Sequence, residues 1–124
     1  MTIRKFEDSI AWQKGRLLNR ELFKTFQDNR NFSFRDQILR AGLSVTNNIA
    51  EGFERGGDKE LRQFLIISRG SAAEVRSMLY IANDNGYIDE ERFNELLLLT
   101  QVVGKLLTGF IKQIKTNNYQ TVRQ

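Results

Sequence analysis

Three basic side chains at helical spacing are the first candidates for chemistry in this chain. Arg16, Arg20 and Lys24 recur at i, i+4 and i+8, so on an α-helix they stand in one row. Like charges at that spacing repel by a few tenths of a kcal/mol. Glu21 interrupts the row only at its edge, so the row is mildly costly and invites a partner. Such a row is either a solvated face or a contact for phosphates. Phosphate contact is salt-dependent and carries little sequence information. Arg35 and Arg40 extend the positive charge into the next segment, beside the row if the two helices pack antiparallel. A second group is polar and sits among apolar residues. Asn47, Asn48 and Glu51 fall between Val45, Ile49 and Phe53, and Glu74 falls between Ser71 and Met78. Asn is a poor residue for a helix interior, because its amide competes for nearby backbone groups. These side chains read either as a hydrogen-bonded network at a helix end or as a subunit contact or ligand site. Glu74 is expected inside an apolar face, paired with Arg40, Arg69 or an asparagine, since an unpaired buried charge is expensive.

Composition removes most other chemistry. The 124 residues contain no cysteine, no histidine and no proline. Thiol chemistry, disulfides, imidazole bases and most zinc sites go with them, and the redox compartment is left open. A metal would have only oxygen ligands. Glu51 and Glu74 would serve as acid or base only with shifted pKa values. There is no nucleophile with a base and no glycine-rich phosphate loop, so neither an enzyme nor a cofactor is expected. The N-terminus lacks the apolar run of a signal peptide, and no stretch approaches 18 uninterrupted apolar residues. The expectation is a cytoplasmic protein with no membrane partner. Net charge is +4 and the pI about 9.6. Residues 1–50 hold 9 Lys/Arg against 5 Asp/Glu, and residues 51–124 hold 10 against 10. The whole excess therefore lies in the first two segments, where it can attract phosphate backbones or simply aid solubility.

The elements that must position these residues follow from periodicity. A single domain is expected over 1–124, with helices over about 8–27, 33–55, 58–85 and 89–115 and a flexible polar tail over 116–124. Asp8 or Ser9 is expected to cap the first helix, Ser33 with Asp36 the second, Asp58 the third and Asp89 the fourth. Asn85-Gly86 should end the third in a left-handed cap. The first stripe is Ala11, Gly15, Leu18, Leu22 and Phe26, widened by Trp12 and Phe23. The second is Phe34, Ile38, Ala41/Gly42, Val45, Ile49 and Phe53. The third runs Leu61, Leu65, Ser68, Ala72, Val75, Leu79 and Ala82, with Phe64, Ile67, Ser71, Met78 and Ile81 beside it. The fourth is Phe93, Leu96, Leu97, Thr100, Val103, Leu107, Phe110/Ile111 and Ile114. Gly104 and Gly109 suggest close packing. The fold class is all-α, an antiparallel up-down-up-down four-helix bundle. The broad third face and the Leu96–Leu99 run exceed what one bundle core absorbs, so a homo-oligomer is expected.

Several segments resemble a known family. They are Gln37-Ile38-Leu39-Arg40-Ala41 followed by Ser44-Val45-Thr46-Asn47-Asn48-Ile49-Ala50-Glu51-Gly52, and Phe6-Glu7-Asp8 with Trp12-Gln13-Lys14. Lys59-Glu60-Leu61 with Phe64-Leu65, and Gly70-Ser71 with Glu74-Val75, complete them. Together they resemble the small four-helix bundle proteins encoded in intervening sequences of bacterial 23S rRNA genes. That family often has proline where this chain has Thr46, and Ala72-Ala73 is smaller than its usual pair. The resemblance implies a left-handed up-and-down bundle that assembles into a pentameric ring, with no established enzymatic activity. An older ribosomal-protein label does not imply a ribosome component. The accessory variability proteins of diversity-generating retroelements are similar in fold and charge. They form a basic pentamer that binds nucleic acid and a reverse transcriptase.

The leading expectation is therefore a non-catalytic oligomer that binds RNA or DNA through Arg16, Arg20, Lys24, Arg35 and Arg40. The alternative is a protein-interaction scaffold or accessory subunit, for example of a reverse transcriptase, with no nucleic-acid role of its own.

Overall fold

In a computed structural model the backbone is described over residues 5–123 and the side chains over 5–114. The described residues form four α-helices and no strand. A short 3₁₀ turn, Phe6–Asp8, leads into α1 (Ile10–Phe26). Ser9 closes the turn and caps α1, its Oγ accepting the Trp12 N–H at 3.4 Å. The cap of α2 (Phe32–Glu54) is Asn31 rather than Ser33. Asn29 Oδ1 accepts the Asn31 N–H at 2.8 Å, and Asn31 Oδ1 accepts the Phe34 N–H at 3.1 Å. Two consecutive Asx links complete the turn before Ser33 is reached, so the Ser33/Asp36 capping box does not form.

α2 runs unbroken through Thr46. Gly56, at φ 86°, turns the chain, and extended Gly57 occupies the cap position of α3 (Asp58–Asp84). Asp58 is thus the first helical residue and not the cap. With Glu60 it supplies negative charge to the first turn, where the dipole favours it. α3 ends as expected in a Schellman motif. Gly86 sits at φ 70°, Tyr87 N–H donates to Ala82 O at 2.9 Å, and Gly86 N–H donates to Asn83 O at 3.2 Å. Asp89 Oδ1 caps α4 (Glu90–Arg123) by accepting the Arg92 N–H at 2.8 Å. The helical backbone of α4 passes the expected stop near residue 115, because Lys-Thr-Asn-Asn-Tyr contains neither proline nor glycine to end it.

Each helix packs on two others: α1 on α2 and α4, and α3 on α2 and α4. The core lies between them. Leu18, Leu22 and Phe26 of α1, Ile38, Val45 and Ile49 of α2, Leu65, Val75 and Leu79 of α3, and Val103 and Leu107 of α4 are all fully buried. These are the expected stripes. The wider arcs do not all go in. Phe23, Ile67 and Ile81 are exposed, because four helices already fill the core and leave no room for flanking positions. Small residues set the α1–α2 crossing. A Cβ on Gly15 would lie 2.9 Å from Thr46 Cγ2, and one on Gly42 would run into Asn19 Oδ1 and Leu22. Gly104 and Gly109 are different. A Cβ on either would meet nothing within 4 Å, so within the chain they permit no close contact. Over Glu90–Ile114, α4 is long and apolar enough to cross a membrane on composition alone. Its stripe of Phe93, Leu96, Val103, Leu107, Ile111 and Ile114 is instead buried against the other helices.

Candidate nucleic-acid interface and polar network

The outward face of α1 carries the basic row. Arg16, Arg20 and Lys24 are all exposed. Gln13, Arg16, Leu17 and Arg20 line a shallow concavity of about 370 Å³. Arg16 stacks its guanidinium over Trp12, 5.7 Å from the ring centroid. At an exposed site such a cation–π contact is worth about 0.5–1 kcal/mol. The row is not uncompensated, however. Glu21 lies 3.7 Å from Arg20 Nε and 3.6 Å from Lys24 Nζ, and it accepts a hydrogen bond from a nitrogen of Arg92 at 2.9 Å. Arg92 comes from the first turn of α4. It also donates to Thr25 Oγ1 at 2.9 Å and to the Glu21 carbonyl at 3.2 Å. A cation in the first turn of a helix opposes the dipole, and that was the signal in the sequence that Arg92 needed a partner elsewhere.

The hydrogen bond from Arg92 holds the Glu21 carboxyl below its usual range, with the charges of Lys24 and Arg92 adding to it and burial opposing. The folded pKa of Glu21 is thus lower than the unfolded one. Its contribution to stability is present above the unfolded value near 4.5 and is lost as pH falls through the folded value. Arg92→Ala should lower neutral-pH stability by roughly 1–2 kcal/mol. It should also flatten the acid limb of stability against pH, read from urea melts between about pH 3 and 7.

The other two basic candidates belong to α2. Arg35 is half-buried, 3.0 Å from Asp36 Oδ1 and stacked on Phe32 at 4.7 Å. Arg40 is exposed in a polar groove between α2 and α3, about 590 Å³ in volume, shared with Asp36, Gln37, Ser44 and Glu74. Arg16, Arg20 and Lys24 thus share the outward face of α1, while Arg35 and Arg40 stand on α2, Arg35 paired with Asp36 and Arg40 in the groove with Glu74. Glu74 is likewise exposed rather than inside an apolar face. It accepts a hydrogen bond from Gln37 Nε2 at 3.4 Å. The apolar arc of α3 turns away just before it, because Ser71, Val75 and Met78 already meet the neighbouring helices.

Of Asn47, Asn48 and Glu51, only Asn48 enters an interior network. Its Nδ2 donates to Ser44 O at 2.8 Å and to Ser44 Oγ at 2.9 Å, and Ser44 Oγ lies 2.7 Å from Ser71 Oγ of α3. Nearby, buried Ser68 donates to Val45 O at 2.7 Å, and Asn19 of α1 donates to Thr46 Oγ1 at 3.0 Å. Asn47 points to solvent, and Glu51 pairs on the surface with Arg55 at 2.7 Å. Neither belongs to an interior network, since both sit on the outer side of α2. The interior contacts are instead made by Ser44, Ser68, Ser71 and Thr46, with Asn19 as the partner of Thr46. Hydroxyls at core positions of a stripe must have partners, and that is the signal they carried. Among the described residues, no group of three or more acidic side chains is placed to hold a metal ion.

A sequence model of the 23S rRNA-intervening sequence protein family matches residues 7–109. This chain belongs to that family. The match spans α1, α2, α3 and most of α4, including both the basic row and the Asn48–Ser44–Ser71 network. A similar solved structure is a protein of unknown function from the S23 ribosomal protein family of Bacteroides thetaiotaomicron VPI-5482. It is 22% identical, with a TM-score of 0.79 over 83% of this chain and 99% of that one. At that identity it speaks for the fold alone. No curated protein matches.

Proposed function

We propose that this member of the 23S rRNA-intervening sequence family is a non-catalytic homo-oligomer that binds nucleic acid through the outward face of α1. The bundle is up-down-up-down with antiparallel neighbours, and the family resemblance points to a pentameric ring. The observation that carries the binding surface is the charge balance around Glu21. Arg20, Lys24 and Arg92 share that half-buried carboxylate, Arg92 also lies 3.8 Å from Glu95 Oε1, and Arg16 one turn away has no acidic partner among the described residues. The cluster keeps a positive surplus at the surface, and repetition around an oligomer multiplies it into a large local field. Arg40 is not part of this surface, and Arg35, already paired with Asp36, adds little to it. Contacts would go to phosphates, with little sequence preference.

The test is fluorescence anisotropy of a short mixed-sequence RNA and of the matching DNA. R16E/R20E should weaken binding by at least roughly tenfold at low salt and lower the slope of log affinity against log salt. Light-scattering mass should not change. Unaltered affinity would exclude the row. The scaffold reading rests on exposed apolar side chains such as Leu43, Ile67 and Leu98. A stoichiometric protein captured from nuclease-treated lysate, with no RNA or DNA affinity in the purified protein, would favour it instead.

A further inference from the structure

Three helix-interior glycines have no packing reason within the chain. Gly70, Gly104 and Gly109 each face open space where a Cβ would stand, whereas Gly15, Gly42 and Gly52 are held by close neighbours. A glycine inside a helix costs about 0.5–1 kcal/mol relative to alanine. All three line one groove between α3 and α4, about 900 Å³ in volume. Its rim carries Arg69, Arg76 and Lys105, and no carboxylate lines it. Arg69 reaches only Thr108 Oγ1, at 3.4 Å. Among the described residues, none of these three cations has an acidic partner. The groove also lacks aromatic side chains, so it offers no stacking platform for bases. A thin floor between cationic walls suits the close approach of a helix with acidic side chains.

Such a helix face is present on the chain itself. Along the outer side of α4, Glu91, Glu95, Leu98 and Val102 follow at spacings of four, three and four residues, which is one stripe. Glu91 and Glu95 are exposed, Glu95 with only a long 3.8 Å ion pair to Arg92, and Leu98 is 63% exposed. Continued along the helix, the same stripe reaches Lys105 and Gly109 of the groove. The outer side of α4 is thus acidic and apolar in its first half and glycine-rich and basic in its second. We propose that the α3–α4 groove of one copy receives the Glu91/Glu95/Leu98 stripe of a second copy. This deepens the oligomeric part of the function proposed above and rests on it. Opposite charges fix the direction of the contact, because groove against groove would oppose like charges. Donor and acceptor are different patches, so in one direction they pass from copy to copy around a ring, and used reciprocally they close a dimer.

Light-scattering mass at micromolar concentration tests the contact, with far-ultraviolet circular dichroism to confirm the fold. R76E/K105E should reduce the mass from that of an oligomer to the 14.5 kDa single chain. E91K/E95K should do the same, and so should L98D, which leaves every charge of the stripe in place. The fourfold variant R76E/K105E/E91K/E95K restores complementary charge with the signs exchanged and should recover the oligomer. An oligomeric wild type that keeps its mass as R76E/K105E overturns the groove contact and leaves the oligomeric reading standing. A wild type that runs as a single chain overturns both, while the R16E/R20E titration still reads the α1 surface separately.

Discussion

Leu79→Ala should lower the unfolding free energy by about 3 kcal/mol, within the roughly 2–5 kcal/mol range for large-to-small changes at sites that cannot collapse. Leu79 is fully buried in α3, the helix that packs on both α2 and α4. Truncation removes apolar area from the core and leaves a cavity walled by rigid neighbours, and the two costs add. Ser44, Ser71 and Ser68 tie α2 to α3 by hydrogen bonds, so α3 cannot shift to fill the gap without breaking them. A domain of this size has about 5–15 kcal/mol of stability in total, so a loss of this size is a large share. Urea denaturation with an unchanged m-value is the readout. A loss under about 1 kcal/mol would mean that the core collapses around the gap.

Gly42→Val tests the α1–α2 crossing, and a loss of roughly 2–4 kcal/mol is expected. The competing effects have known sizes. Replacing a helix-interior glycine gains about 0.5–1 kcal/mol in backbone entropy, although valine returns part of that through its stiff χ1. Against this, a Cβ on Gly42 meets Asn19 Oδ1 and the Leu22 side chain, with Leu22 itself fully buried. Overpacking of that kind costs about 1–3 kcal/mol. Asn19 cannot swing aside freely, because its amide donates to Thr46 Oγ1 at 3.0 Å. Breaking that bond adds about 1 kcal/mol. The clash therefore wins over the propensity gain. Asn19→Ala in the Gly42→Val background should recover part of the loss, since it removes the atom that the new Cβ strikes. Full additivity of the two changes would show that the contact is not the cause.

These two sites matter for function because they set where the surface residues stand. The Leu18/Leu22/Phe26 stripe points inward, so Arg16, Arg20 and Lys24 must point outward. The crossing at Gly15 and Gly42 brings α1 against α2, and Arg92 ties α4 to the far side of α1 at Glu21. The basic surface is thus held on three helices, although its exposed cations all belong to one.

The sequence by itself determined the parts that repeat locally. Apolar residues every three or four positions marked four helices, and nearly every stripe residue is buried or half-buried in the structure. The Asn85-Gly86 stop and the Asp89 cap were legible for the same reason, since each depends on residues within one turn. Charge exclusion from the core is enough to place Arg16, Arg20 and Lys24 on the surface. Tertiary structure alone decided which polar groups meet. Glu21 and Arg92 are 71 residues apart, and Ser44 and Ser71 are 27 apart. No local periodicity encodes such pairs. They depend on which helix lies beside which and on the rotation of each about its axis. The same rotation put Glu74 and Asn47 in solvent and opened the groove at Gly70, Gly104 and Gly109. A helix with an apolar arc wider than its neighbours can cover has several ways to turn, and only packing of the whole core selects one.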